Sequence, residues 1–352
     1  MKKLSVIIPN WNGEKYLAEM LSSIVSQTFT DWTLFVIDDG STDSSKQIIK
    51  KFSDKDSRIN LFERTRLPKG AQTCRNIGIE LSKGYEYIMF FDSDDIIAPY
   101  CFQQRVTFME SHKDLDFSIF PAKKFYEKIW DNCDWVYGVP FFKDIMKAFL
   151  HKTLPMVGWT NIYRCASIYK KGLHWDEMLL SMQDSDFNIQ AILKGCKYEF
   201  AVNYKPDYFY RYVTNSVSSK SSQRKQTHFP GHIYLLSKVV KSLSEDQKIY
   251  YRDDLDNYYL NFSHISVDKK YGSAFCKTDW IRGRSWFIFR MKILAKTHPK
   301  ARILLFPKLG LQHNCMLKKW HCCMKKTAHD FVSKYKKTEL TLKSTESYLL
   351  PL

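Results

Sequence analysis

Three carboxylates occur within four positions of IMFFDSDD, residues 88–95, directly after a run of apolar residues. Carboxylate oxygens suit Mg²⁺ or Mn²⁺, and a cation that holds a diphosphate keeps positions open for phosphate oxygens and water. Asp92 and Asp94 are two residues apart, so in an extended strand their side chains share a face. The segment therefore predicts a divalent-cation site. The alternatives are a solvated turn for all three acids, and a helix cap for Asp95.

Two further polar segments follow predicted strands, PNWNG at residues 9–13 and DDGSTD at residues 38–43. The ring of Trp11 offers a flat face on which a nucleotide base could stack. Its alternative is a place in the hydrophobic core, since large aromatic side chains dominate core energetics. Gly40 allows a sharp backbone turn after the acids.

The first 120 residues alternate between strand-like and helix-like patterns, which is typical of a parallel sheet covered by helices on both faces. We predict strands over 4–10, 32–38, 59–64, 85–92 and 116–120, and helices over 13–27, 42–52, 70–84 and 99–111. Ligands of such sheets bind beyond the carboxyl ends of the strands. All three polar segments lie at those ends, so we expect them to meet in one crevice.

The alternation becomes irregular after residue 120, and from about 230 the chain is mostly helical. One helical face in HIYLLSKVVKSL is apolar, formed by Leu235, Leu236, Val239, Val240 and Leu243. We predict an α/β domain over 1–225 and a helical, basic region over 226–352, with a frayed tail over 338–352.

The net charge of +17 is uneven. Residues 1–228 hold 31 Lys and Arg against 27 Asp and Glu, whereas 229–352 hold 23 against 10. Basic residues mixed with Trp and Phe between 277 and 343 suit an anionic membrane surface, with an ordinary solvated helical region as the alternative. Nucleic acid is not the expected partner, because no readout motif accompanies the charge.

Cysteine use and hydropathy bear on the compartment. The nine cysteines are scattered, no stretch of 18 apolar residues occurs, and the first residues lack a long apolar segment. We therefore expect a reduced, cytoplasmic protein, peripheral to the inner face of the plasma membrane if the basic region docks there. The His and Cys residues between His313 and Cys323 fit no zinc spacing.

Four segments in order, SVIIPNWNGEKYL, VIDDGSTD, RNIGIELSKGYEYIMFFDSDD and MQDSDF, resemble those of family 2 glycosyltransferases. The resemblance covers residues 4–220 and implies the GT-A fold, a nucleotide-sugar donor, inversion at the sugar carbon, and a divalent metal (Mn²⁺ or Mg²⁺). It places the donor against Pro9, Trp11, Asn12, Asp38, Asp39, Arg75, Asn76, Asp92, Ser93 and Arg211, and the metal at Asp94 and Asp92.

The resemblance also implies individual roles. Asp94 is the main metal ligand, and Asp92 contacts the sugar or ribose. Trp11 lies against uracil, and Asp39 accepts the uracil imide N–H, with Asp38 supporting the loop or the ribose. Arg75 clamps a phosphate or a sugar hydroxyl, or forms an ion pair with the aspartates that stiffens the site.

The motif MQDSDF supplies the general base, which takes the proton of the attacking hydroxyl. Matching it to the family motif places the base at Asp184. Asp186 is the fallback base, and the favoured alternative is that Asp186 orients Asp184 or caps the helix that begins here. Gln183 stands where the family commonly has Glu. Arg211, in a Tyr-Arg segment, is expected to neutralise the leaving diphosphate, with an exposed loop arginine as the alternative.

We expect an inverting hexosyltransferase that moves a sugar from a UDP-sugar to a glycan or lipid-linked glycan in surface polysaccharide synthesis. The Gln-x-x-Arg-Trp motif of the family's processive polymerases is absent, which favours addition of a single sugar. The alternatives are a sugar-phosphate nucleotidyltransferase, whose Gly-rich basic loop we do not find, and a non-catalytic protein that binds membranes or nucleic acid.

Overall fold

The computed structural model describes residues 2–129, 131, 136–140, 142–179, 181–212 and 229–260. The basic segment 277–343, the predicted boundary near 225 and the predicted tail 338–352 lie outside the described residues. Within the described part of the chain, no helix is both long and apolar enough to cross a bilayer.

The strands are β1 Lys2–Asn10, β2 Trp32–Asp38, β3 Ile59–Glu63, β4 Tyr85–Phe90, β5 Ile96–Ile97, β6 Phe117–Ile119, β7 Ala122–Phe125, β8 Val136–Tyr137, β9 Asn161–Arg164, β10 Tyr198–Phe200 and β11 Tyr208–Arg211. Seven of them form a sheet in the order β10-β6-β9-β4-β1-β2-β3, and four form a smaller sheet in the order β5-β11-β7-β8. The predicted α/β class is confirmed.

The helices are α1 Leu17–Val25, α2 Ser45–Ser53, α3 Ala71–Leu81, α4 Cys101–Ser111, α5 Ile145–Leu150, α6 Cys165–Lys171, α7 Gln183–Leu193, α8 Phe229–Ser242, α9 Glu245–Tyr250 and α10 Arg252–Leu260. A 3₁₀ turn spans Gly158–Thr160. The nine elements predicted up to residue 120 are all present, with ends that differ by a few residues.

The large sheet is mostly parallel, as predicted, but β9 runs antiparallel to both of its neighbours, β4 and β6. The sequence analysis did not predict this strand or the smaller sheet. Four residues, NIYR, are too few to show a periodicity that separates a strand from the helical pattern around them.

Two hydrophobic clusters pack on the opposite faces of the large sheet, because successive side chains of a strand point to opposite sides. Ile7 belongs to one cluster, and its neighbours Val6 and Ile8 belong to the other. The cluster that contains Ile7 also includes Ile189 of α7 and Leu236 of α8. The helices after residue 228 therefore share a core with the domain that carries the predicted site.

A fully buried ion pair joins α4 to the segment that leads into β11. Arg105 Nε and Nη2 donate to the two carboxylate oxygens of Asp207 at 2.8 and 2.6 Å, and both side chains are 0% exposed. Arg105 Nη1 also donates to the carbonyl oxygen of Trp159. One cation thus fixes the 3₁₀ turn relative to β11.

Replacement of Asp207 by Ala should lower the free energy of unfolding by about 3–5 kcal/mol, because it leaves the Arg105 charge buried without a counter-charge. Urea denaturation followed by circular dichroism measures this. Asp54→Ala is the control, since it breaks an exposed pair with Lys50 and should change stability little. Similar effects of the two substitutions would contradict the expected result.

Candidate functional site

The loops that follow β1 and β2 are bonded to each other at the carboxyl edge of the sheet. Asn12 Oδ1 accepts a hydrogen bond from the backbone N–H of Thr42 at 2.9 Å, and the Asn12 N–H donates to Ser41 Oγ at 2.9 Å. Asp38 is buried and accepts from the Ser41 N–H at 2.8 Å. Pro9 is buried in β1, in register with Ile37 of β2. In the structure these residues shape the loops.

Trp11 projects from this edge with 53% of its surface exposed, so the alternative of a core tryptophan is wrong. Lys69 Nζ lies over its ring, 4.5 Å from the centroid. Asp39 is nearly buried, and one of its oxygens accepts from Arg64 Nε. Gly40 has a φ of 82°, the left-handed conformation expected of the turn.

The DSDD segment is a turn, because β4 ends at Phe90 and not at Asp92. The argument that Asp92 and Asp94 share the face of a strand is therefore wrong, although both lie at the sheet edge. Ser93 reaches the loop after β1: a Cβ on Gly13 would lie 3.3 Å from Ser93 Oγ.

Asp95 does not cap a helix, which corrects that alternative, since α4 begins only at Cys101. Its carboxylate accepts from Tyr208 Oη at 2.6 Å and from the Arg211 N–H at 2.7 Å. Tyr208 Oη also accepts from the Asp92 N–H at 3.2 Å. Asp95 thus connects the DSDD turn to β11 through two hydrogen bonds.

Arg75 of α3 connects this turn to the start of α7. Its Nη2 donates to Asp92 Oδ1 at 2.6 Å, and its Nη1 donates to Gln183 Oε1 at 3.1 Å. The guanidinium is stacked on the ring of Trp175, 4.5 Å from the centroid, and the residue is 6% exposed. The predicted ion pair is present, between Arg75 and Asp92. Through its second hydrogen bond, to Gln183, the same guanidinium connects the DSDD segment with the QDSD segment.

Asn76, the next residue, bonds to the segment before α7. Its Nδ2 donates to the Trp175 carbonyl oxygen and to Glu177 Oε1, both at 2.8 Å, and its Oδ1 accepts from the Trp175 N–H at 2.9 Å. The amide therefore holds the chain segment that leads to the predicted base. Contact between Asn76 and a donor stays a prediction.

Asp184 lies half-buried in the first turn of α7. Its Oδ1 accepts from the Gly158 N–H at 2.8 Å. Burial raises the pKa of Asp184 above the ordinary value, as does the charge of Asp92, whereas the charge of Arg75 opposes the rise in pKa. A carboxylate with a raised pKa has the character of a general base.

Asp186 has partners for its carboxylate in α8 and in its own helix. Lys238 Nζ of α8 lies 2.6 Å from its Oδ1, and Gln190 Nε2 donates to its Oδ2 at 2.6 Å. The side chain is 2% exposed. Both oxygens are engaged, so Asp186 is poorly placed to act as the fallback base.

Arg211 is 7% exposed, so the alternative of an exposed loop arginine is wrong. Its Nη2 donates to Glu19 Oε2 at 2.6 Å and its Nε donates to the Asp94 carbonyl oxygen at 2.9 Å. The guanidinium also lies 4.4 Å from the centroid of the Tyr16 ring. In this arrangement Arg211 supports the DSDD turn.

Asp94 fits the role of a cation ligand. Burial raises the pKa of Asp94 to about 6, with a further contribution from the negative charge of Asp92. Within the described residues no cluster of three or more metal-binding side chains occurs. Two carboxylates match cations of the Mg²⁺ type, whose remaining ligands are substrate phosphates and water.

The sequence analysis missed the 3₁₀ turn Gly158–Thr160. Besides the Gly158 contact with Asp184, Trp159 stacks on Tyr208 with ring centroids 4.7 Å apart. Through Tyr208, this turn also touches the DSDD segment. A backbone N–H leaves no trace in residue type, and GWT matches no motif, so only the structure could reveal the contact.

Comparison with known proteins identifies the family. Residues 5–173 match the profile of Glycosyl transferase family 2. An uncharacterized glycosyltransferase of Haemophilus influenzae is 42% identical over 109 residues, which cover 31% of this chain and 43% of that protein.

Longer matches are more distant. The poly(ribitol-phosphate) beta-N-acetylglucosaminyltransferase TarS of Staphylococcus aureus (strain Mu50) is 27% identical over 282 residues, 77% of this chain and 46% of that protein. A poly(ribitol-phosphate) beta-glucosyltransferase of Bacillus spizizenii is 26% identical over 296 residues, 81% of this chain and 45% of that protein. The chain thus spans less than half the length of these relatives.

Among solved structures, S. aureus TarS 1–349 in complex with UDP-GlcNAc superimposes with a TM-score of 0.59 at 20% identity. The match covers 96% of this chain and 93% of that one, so the two share a fold. The GT-A architecture expected from the four motifs is confirmed. The profile match shows that residues 5–173 form a glycosyltransferase family 2 domain.

Proposed function

We propose that this enzyme transfers a single sugar, with inversion, from a UDP-sugar to a hydroxyl group of a surface glycan or lipid-linked glycan. The observation that carries the proposal is the buried Arg75, which bonds both to Asp92 in the DSDD turn and to Gln183 beside Asp184. This bridge fixes the distance between the DSDD turn, where the donor diphosphate would bind, and the carboxylate of Asp184, which would act as the base.

The donor would lie across the carboxyl edge of the sheet. The exposed ring of Trp11 offers a stacking face for uracil, worth about 1–3 kcal/mol. One oxygen of Asp39 bonds to Arg64, and the other has no hydrogen bond within the described residues, which leaves an acceptor for the uracil imide. TarS 1–349 has been solved with UDP-GlcNAc and with UDP, which supports a UDP-sugar as donor here.

Asp94 and Asp92 would hold a divalent cation, Mn²⁺ or Mg²⁺. When bound, the cation supplies positive charge against the diphosphate of the donor and the leaving group. Arg75 already neutralises part of the charge on Asp92, whereas the carboxylate of Asp94 has no ion pair within the described residues. Asp94 is therefore the principal ligand in this proposal.

Asp184 would take the proton from the acceptor hydroxyl as its oxygen attacks the anomeric carbon. The new carbon–oxygen bond forms on the face opposite the breaking bond to the diphosphate, so UDP departs and the anomeric configuration inverts. The Gly158 N–H fixes one carboxylate oxygen of Asp184. The other oxygen has no hydrogen bond within the described residues, which leaves it to receive the proton.

An anionic or lipid-linked acceptor suits the electrostatics of the chain. The net charge is +17, and most of it falls after residue 228. Two of the relatives act, by their names, on poly(ribitol-phosphate), a polymer with one negative charge per repeat. A basic enzyme gains affinity for such a polymer and for an anionic membrane surface alike.

UDP release from a panel of UDP-sugars, measured with Mn²⁺ and an acceptor extract, tests the proposal. Asp184→Asn should reduce transfer by about 10²–10⁴-fold and leave donor binding intact, because only proton removal is lost. Asp94→Asn should abolish the stimulation by Mn²⁺. As the control, Asp144→Asn removes a carboxylate at the N-cap of α5, keeps a capping side chain, and should leave turnover unchanged. Wild-type turnover by Asp184→Asn would refute the base assignment.

Gly158→Ala should lower kcat by about 10²-fold, because the new Cβ would lie 2.7 Å from Asp184 Oδ1 and displace the carboxylate. Steady-state kinetics with saturating donor measure the effect. Gly84→Ala is the control: its methyl group meets no atom within 4 Å, but its φ of 89° strains the backbone. It should lower stability and spare kcat. A loss of kcat in both variants would point to a folding defect.

Gln183→Glu should move the acidic limb of the kcat–pH profile to higher pH. The new carboxylate would add negative charge beside Asp184 and occupy Arg75, whose charge opposes the raised pKa of Asp184. The base acts only when it is deprotonated. A higher pKa of Asp184 therefore reduces kcat at the acidic end of the pH range. Gln183→Met, which adds no charge, is the control. A limb that moves to lower pH in Gln183→Glu would contradict this account.

A further inference from the structure

The chain segment that carries the proposed base begins with a strained residue. Met182 directly precedes α7 and has a φ of 64°, in the left-handed region that side chains other than glycine adopt at a cost. Asp184 follows two residues later. Such a conformation persists only where neighbouring structure holds it in place, so the question is which elements hold this turn.

The first turn of α8 rests directly on it. A Cβ on Gly231 would overlap Ser181 Oγ and would lie 3.2 Å from the Ser181 carbonyl oxygen, so a side chain at this position would force Ser181 to move. Next to it, Met182 and Ser185 line a small apolar cavity together with Leu235 and Val239 of α8. The first turns of α8 thus cover Met182, the residue whose backbone conformation sets the direction of α7.

Lys238, further along α8, fastens the segment on both sides of Asp184. Its Nζ lies 2.6 Å from Asp176 Oδ2 and 2.6 Å from Asp186 Oδ1. Asp186 is 2% exposed and Asp176 is 12% exposed, so both carboxylates need a nearby positive charge. Tyr234 Oη donates a second bond to Asp176 at 3.2 Å.

We propose that α8 belongs to the catalytic apparatus and that Lys238 is a positioning residue, which places Asp184 by tying Asp176 and Asp186 to one ammonium group. The inference rests on the proposed role of Asp184 as base. It gives a function to a helix that lies beyond the family match at residues 5–173. It also explains the second acid of QDSD, which anchors the helix that carries the base.

Lys238→Met and Lys238→Arg test the proposal, with Lys248→Met as the control because Lys248 forms an exposed pair with Glu245. Lys238→Met should lower kcat by about 10–10²-fold, since a small displacement of a base is costly. The KM for the UDP-sugar should stay near the wild-type value. Lys238→Arg should restore most of kcat, and Lys248→Met should match the wild type.

Hydrogen–deuterium exchange separates a failure of this inference from a failure of the proposed function. In Lys238→Met, amides over 181–186 should exchange at least about tenfold faster, whereas amides over 38–45 should keep their rates. Unchanged exchange over 181–186 would overturn the positioning role, whatever the wild-type enzyme transfers. Equal losses of kcat, donor affinity and protection in both regions would also overturn it, because they would show only general destabilisation.

Discussion

The arrangement of the site depends on the compensation of one buried positive charge. The Arg75 guanidinium is removed from water and stacked on Trp175, so it needs oxygen partners, and it finds them in Asp92 and Gln183. Displacing Asp92 would leave the buried charge without its ion pair, and displacing Gln183 would leave one guanidinium N–H group without its hydrogen bond. The DSDD turn and the first turn of α7 are therefore held at one separation before any substrate arrives.

The same charge sets the electrostatics of the proposed base. Desolvation raises the pKa of Asp184, and Arg75 limits that rise. Gln183 accepts a hydrogen bond from Arg75 without adding negative charge. A glutamate in its place would compete with Asp92 for the guanidinium. The neutral amide of Gln183 thus leaves the positive charge of Arg75 to act on Asp92 and Asp184.

Much of the fold could be predicted from sequence because its first 120 residues obey local rules. Buried strands read as apolar runs, helices show one apolar face, and polar residues follow at strand ends. The predictions fail where contacts distant in sequence decide the structure. Arg211 looks like a loop residue, yet Glu19 and the Asp94 carbonyl hold it in the interior. Asp95 looks like a cap, yet it binds Tyr208.

The candidate site shows the same division. The residue types of Trp11, Asp94 and Asp184 indicate their chemistry, so sequence patterns suffice to nominate them. The groups that aim these side chains are backbone atoms and partners far along the chain, such as the Gly158 N–H and Lys238. Neither a main-chain donor nor an ion pair between residues 186 and 238 has a local signature.

The packing of α8 and α10 determines how far the polypeptide can be shortened from its C-terminal side without loss of core residues. Leu236, Val239 and Leu255 share one core with Phe149 and Ile189, so removing them would strip an apolar wall from α5 and α7. A polypeptide that stops near residue 225 would retain every side chain assigned to the nucleotide but would expose this surface to water. Only a fragment that extends through Tyr258 keeps every described residue of this shared core.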